Sequence, residues 1–238
     1  MSQIAPIHGT RTGDRVASAL IGCSAVLVLA IVTHHPVAEQ ASTISGVPLS
    51  GIEAVVRANL AFHAVLMLVL VAQLVGLILF ARKLILHRPV VIAGVIFCAV
   101  ASVLMVIAMA FDGFVTAELV ARCASRQAGC AETAADGLTF SSAIIQAFTK
   151  LGFGAQALGL AALSIAMWWF GGRSRIAAVF CTPLALAPVA LLSSGAYVGP
   201  ERLVQILAFY AVWGLAVAIV LGFGWLDPVP VRTASDAA

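Results

Sequence analysis

The chain has 238 residues, 62% of them hydrophobic and 10% charged, with a mean hydropathy of +1.10. A soluble domain needs about 25% charged residues to cover its surface, so a soluble globular enzyme is excluded. The formal charge of +3 comes from basic residues in short loops, which bears on membrane orientation and leaves no nucleic-acid module.

Stretches of 18 or more apolar residues with few charges are long enough to cross a hydrocarbon core of roughly 30 Å. Six such spans follow one another: 16–33, 54–80, 89–111, 140–170, 176–198 and 202–225. They predict an all-α integral membrane protein, a bundle of six transmembrane helices. Residues 1–15 and 227–238 are short tails on either side of a membrane domain at 16–226. Pro89 and Pro200 suit helix starts, where a missing N–H costs nothing. Trp168, Trp169 and Trp225 suit the interfacial aromatic belt.

Arginine and lysine orient the bundle. Arg11, Arg15, Arg82, Lys83, Arg88, Arg173, Arg175 and Arg232 fall on one side, and Arg57, Arg122, Arg126, Lys150 and Arg202 on the other. The richer side is cytoplasmic by the positive-inside rule, which puts both termini there. The first apolar run is too long for a signal-peptide core, and "HHPVAEQ" after it offers no small-x-small cleavage site. It is expected to be retained. The expected location is the plasma (inner) membrane of a bacterium.

Two longer loops, 34–53 and 112–139, fall on the outer side. The second contains "CASRQAGC", whose Cys123 and Cys130 are candidates for a disulfide in an oxidising compartment. Cys23, Cys98 and Cys181 fall inside spans and are expected to pack as small hydrophobes.

Polar residues inside the spans carry the functional question. At 100° per residue, Asn59, His63 and Gln73 share one arc of the second span, with Leu66 and Leu70 between them. Arg57 points the other way and can snorkel. A polar stripe avoids lipid, so this one is expected to face the bundle interior. The third span places Asp112, Met109, Met105, Ser102 and Cys98 on a comparable stripe. In the fourth, Gln146, Lys150 and Phe153 lie opposite a small-residue face of Gly152, Ala155, Gly159, Ala162 and Ala166, on which another helix can approach closely. Helical rise puts His63, Asp112 and Lys150 at one depth near the outer boundary. "LAFHAV" at 60–65 matches "LAFYAV" at 207–212, giving His63 and Tyr210 related places on helices of the same direction.

"LLSSGAYVGP" resembles the serine motif of rhomboid intramembrane proteases over about six residues. Leu192 stands where the motif has its first glycine, and the last span has no histidine to serve as base. An intramembrane serine without a base is not an activated nucleophile, so Ser193 and Ser194 are expected to serve local backbone. A copper site would draw on Met105, Met109 and Cys98 with His63, and haem would need a second histidine, such as His34 or His35.

The leading expectation is a non-enzymatic protein with a ligand pocket open to the outer leaflet. Its candidate residues are Asn59, His63, Gln73, Asp112, Lys150 and Tyr210. The ligand is small or lipid-like and is held or moved. Catalytic and metal-ligating residues are not assigned, and the cofactor stays open. The expected partners are membrane lipid and either another membrane protein or a second copy, not nucleic acid. An accessory or scaffold subunit, docking through the small-residue face, is the second reading. A redox protein using haem, quinone or copper is the third.

Overall fold

A computed structural model describes residues 11–33, 49–85, 88–119, 130–194 and 197–226; of residues 49–55 and 130–135 only the backbone is described. It is helical throughout, with no strand among the described residues. The long helices are α1 Arg11–Thr33, α2 Leu49–Lys83, α3 Pro89–Ala110, α4 Cys130–Met167, α5 Gly172–Ser193 and α6 Pro200–Gly222. All six are long and apolar enough to cross a membrane. Leu68, Ile176 and Phe223 are 70% or more exposed, as outward-facing residues of such a bundle would be.

Element limits differ from expectation in two places. The third span does not stop at Phe111. It passes through a π-helical turn, Phe111–Val115, and continues to Leu119. The fourth begins at Cys130, ten residues before Phe140, so the expected loop 112–139 is mostly helix. Polar composition concealed both extensions, because a helix can project past the hydrocarbon without being apolar. Cys123 and the side chain of Cys130 lie outside the described residues.

Helices adjacent in sequence pack side by side, and α6 returns against α1. The result is a closed ring of six. The most extensive contact joins α3 to α4. Glycines make it possible: a Cβ on Gly159 would stand 2.5 Å from Cys98 Sγ and 2.9 Å from the Gly94 carbonyl. A Cβ on Gly152 would stand 2.9 Å from Met105 Sδ. The small-residue face of the fourth span is thus a packing face, and its partner is the preceding helix of the same chain.

A regular ring of six helices with 8–10 Å between axes leaves a gap about one helix wide at its centre. At one end this gap is filled. Trp213 of α6, fully buried, reaches Phe80 of α2 with ring centroids 6.3 Å apart and donates its indole N–H to Ser164 of α4 at 2.8 Å. Ile21, Leu77, Leu160, Leu163 and Met167 complete this core. The same end carries the Lys83–Asp14 ion pair at 2.9 Å. It also holds three arginines over tryptophan rings: Arg88 on Trp169, Arg173 on Trp225 and Arg175 on Trp168. Gly171 and Gly172, with φ of 73° and 49°, make the tight turn from α4 to α5 there, a backbone shape that suits glycine.

Candidate functional site

The other end of the ring is hollow. A cavity of about 1070 Å³ lies among α1, α2, α3, α4 and α6. It reaches from Gln73, Ala101, Gln156 and Tyr210 in mid-bundle to Thr33, Thr116, Leu138 and Glu201 at the rim. Tyr210 forms its floor. The hydroxyl crosses from α6 to donate to the Phe153 carbonyl of α4 at 2.7 Å, one turn above Trp213. Met105, Met109, Leu66, Leu70 and Phe153 supply apolar wall, and Gln73, Ser102, Gln146, Thr149 and Gln205 supply polar groups.

At the rim His63 meets Asp112. Nε2 of His63, a residue only 3% exposed, lies 3.2 Å from Asp112 Oδ2. The other ring nitrogen, Nδ1, lies 2.8 Å from the backbone carbonyl of Asn59. A carbonyl can only accept, so Nδ1 carries a hydrogen. Nε2 and a carboxylate oxygen then face one another, and a second hydrogen must lie between them for the contact to be attractive. With a hydrogen on both ring nitrogens the contact is an imidazolium–carboxylate pair of zero net charge.

The π-turn presents this aspartate. A widened turn rotates the residues on either side of it, and such turns recur where a helix serves a site. Two residues explain this one. Gly113 has no side chain, and a Cβ there would stand 2.5 Å from His63 Cβ and 2.7 Å from its Cγ. Thr116 sends its hydroxyl to the Phe111 carbonyl at 3.0 Å, alongside its own backbone N–H. Asn59 Nδ2 donates to the Asp112 carbonyl at 3.2 Å and ties the turn to α2.

Of the candidate residues, His63, Gln73, Asp112 and Tyr210 line the cavity. Asn59 does not line it but braces the His63–Asp112 pair from behind. Lys150 is a correction: it is half-buried, lines no part of the cavity and makes no ion pair with Asp112. The wall-forming residues of α4 are Gln146, Thr149, Phe153 and Gln156. Their common arc lies on the far side of Gln146 from Lys150. Equal depth on a neighbouring helix was not enough; rotation about the axis decides. Met109, Met105 and Ser102 face the cavity as their stripe predicts, while Cys98 is turned into the α3–α4 contact. That separates the soft donors, and no three His, Cys, Asp or Glu side chains converge among the described residues.

Sequence reasoning missed Gly113, Gln156, Thr149 and Glu201. The repeat of glutamine or threonine on one face of α4 was a usable signal for two of them. Gln146 was placed on the correct face, but its main partner was not foreseen. Its Oε1 accepts from the Val198 N–H at 2.9 Å and its Nε2 donates to the Val198 carbonyl at 3.3 Å, which fixes the segment before α6 over the rim. Ser193 and Ser194 donate to the carbonyls of Ala190 and Leu191, the local service expected of them. No family model matches this chain, and no curated protein or solved structure matches it either.

Proposed function

We propose that the protein binds a small or lipid-like ligand inside the membrane, in the cavity at the hollow end of the ring. The cavity carries the reading. It is open at its rim and offers about 1070 Å³ to an occupant. The volume is at the top of the range for small-molecule sites, and a few polar groups on an apolar wall fix orientation there.

The arginine and lysine distribution supports an orientation with the packed end and both termini in the cytoplasm and the cavity opening outward. On this reading the protein sits in a bacterial plasma membrane with its packed end inward. The scaffold reading draws less support, since Gly152 and Gly159 already receive α3.

Native mass spectrometry of the protein released from nanodiscs tests the proposal. A bound small molecule or lipid should accompany the wild-type chain and be weakened or lost in Ser102→Phe, which puts a bulky ring on the cavity wall. Adducts that persist unchanged in a folded Ser102→Phe protein would place the ligand elsewhere and end the reading.

A further inference from the structure

We infer that the cavity, if it is the binding site proposed above, selects lipophilic organic cations and takes up each one in exchange for the proton held between His63 and Asp112. Among the described residues, the titratable groups lining the cavity are His63 from α2, Asp112 from the π-turn, Tyr197 before α6, and Glu201 and Tyr210 of α6. α1, α4 and α5 contribute none. Two are acids, one is a histidine already paired with an acid, and no lysine or arginine lines the cavity among the described residues. Arg57, Glu118, Asp136, Lys150 and Arg202 are charged residues along these helices, and none of them lines the cavity. An anion finds no lysine or arginine among the described lining residues. A cation finds Asp112, whose side chain is 41% exposed, with Tyr210 and Phe153 further down the same cavity.

The charge balance favours exchange over joint occupancy. With its proton the pair is neutral, and Glu201 is an exposed residue at the rim, so a cation entering beside the pair would bring a charge that the pair does not balance. If the proton leaves, His63 becomes neutral and keeps its Nδ1–H on the Asn59 carbonyl. Asp112 is then a bare carboxylate facing the neutral Nε2, and its former contact with the ring is no longer attractive. The cation supplies the missing positive charge. One proton goes to water, one cation takes its place, no bond to carbon changes, and the His63–Asp112 pair with its cation has the same zero net charge as the protonated pair had before.

Tetraphenylphosphonium is a suitable probe because its charge does not titrate. Purified protein in nanodiscs of zwitterionic lipid should bind it saturably. Affinity should rise by up to about tenfold per pH unit where the pair is protonated, the slope for one exchanged proton. About one proton per cation should appear in weakly buffered medium, read with an indicator dye. Asp112→Asn should lose both signals while retaining its unfolding temperature, since an amide N–H can still donate to Nε2. His63→Gln should still bind the probe but with a flat pH dependence and no proton release. Equal binding of the anion tetraphenylborate, or phosphonium binding without proton release at any pH, would overturn the exchange. A fluorescent monoacylglycerol that binds while phosphonium does not would also overturn it, leaving the cavity reading intact. If neither probe binds, both proposals fall.

Discussion

Gly113 and His63 stand so close that not even a methyl group fits between them: a Cβ at 113 would overlap the His63 Cβ at 2.5 Å. His63 is held on its other side by the Asn59 carbonyl, so it has little room to retreat. Gly113→Ala should therefore displace the imidazole from Asp112. The cost expected for such overpacking is about 1–3 kcal/mol, visible as a lower unfolding temperature, with loss of probe binding in the same sample. An unfolding temperature equal to wild type would mean that the π-turn yields instead.

Gly159→Ala and Gly154→Ala form a matched pair on one helix. A Cβ at 159 would meet Cys98 and the Gly94 carbonyl, whereas a Cβ at 154 meets nothing within 4 Å. The first should destabilise by about 1–3 kcal/mol through backbone collision. The second should be neutral or stabilising by up to roughly 1 kcal/mol, the helix preference of alanine over glycine. Equal effects at both sites would show that α3 and α4 do not approach as described.

Ser164→Ala should remove the acceptor of the Trp213 indole N–H in the fully buried centre of the packed end. An orphaned buried donor costs about 1–3 kcal/mol. Ser164→Thr, which keeps a hydroxyl, should recover part of that loss in thermal unfolding. A loss in the alanine variant too small to measure would mean that the indole finds another acceptor.

Gln146→Leu keeps the side-chain volume but removes both bonds to Val198. Amide exchange at Val198, measured by mass spectrometry, should accelerate, while exchange in the α3–α4 contact stays unchanged. Unaltered exchange at Val198 would mean that the segment is held by packing alone.

Hydropathy made the six helices legible, because lipid imposes a requirement that each span meets on its own. The inward faces were legible as well: a glutamine or histidine within a span turns away from lipid, and Gln73, His63, Ser102 and Gln146 all do. What remained hidden depends on relations between helices. Lys150 was placed with Asp112 by depth, yet the azimuth of α4 is set by where Gly152 and Gly159 meet α3. The π-turn was hidden too, because "FDGFV" gives no local sign of widening. Its cause lies on α2, in the ring that needs the space above Gly113.

The division of the ring into a solid end and a hollow one also fixes how its opening can vary. Helices are stiff, and the aromatic, ionic and glycine contacts of the solid end hold their bases together. A tilt of about 5° acting over roughly 30 Å of helix shifts the far tip by about 2.6 Å, while atoms near the pivot move only a fraction of that. Such leverage lets the width of the mouth change by an atom's diameter without parting Trp213 from Ser164 or Phe80.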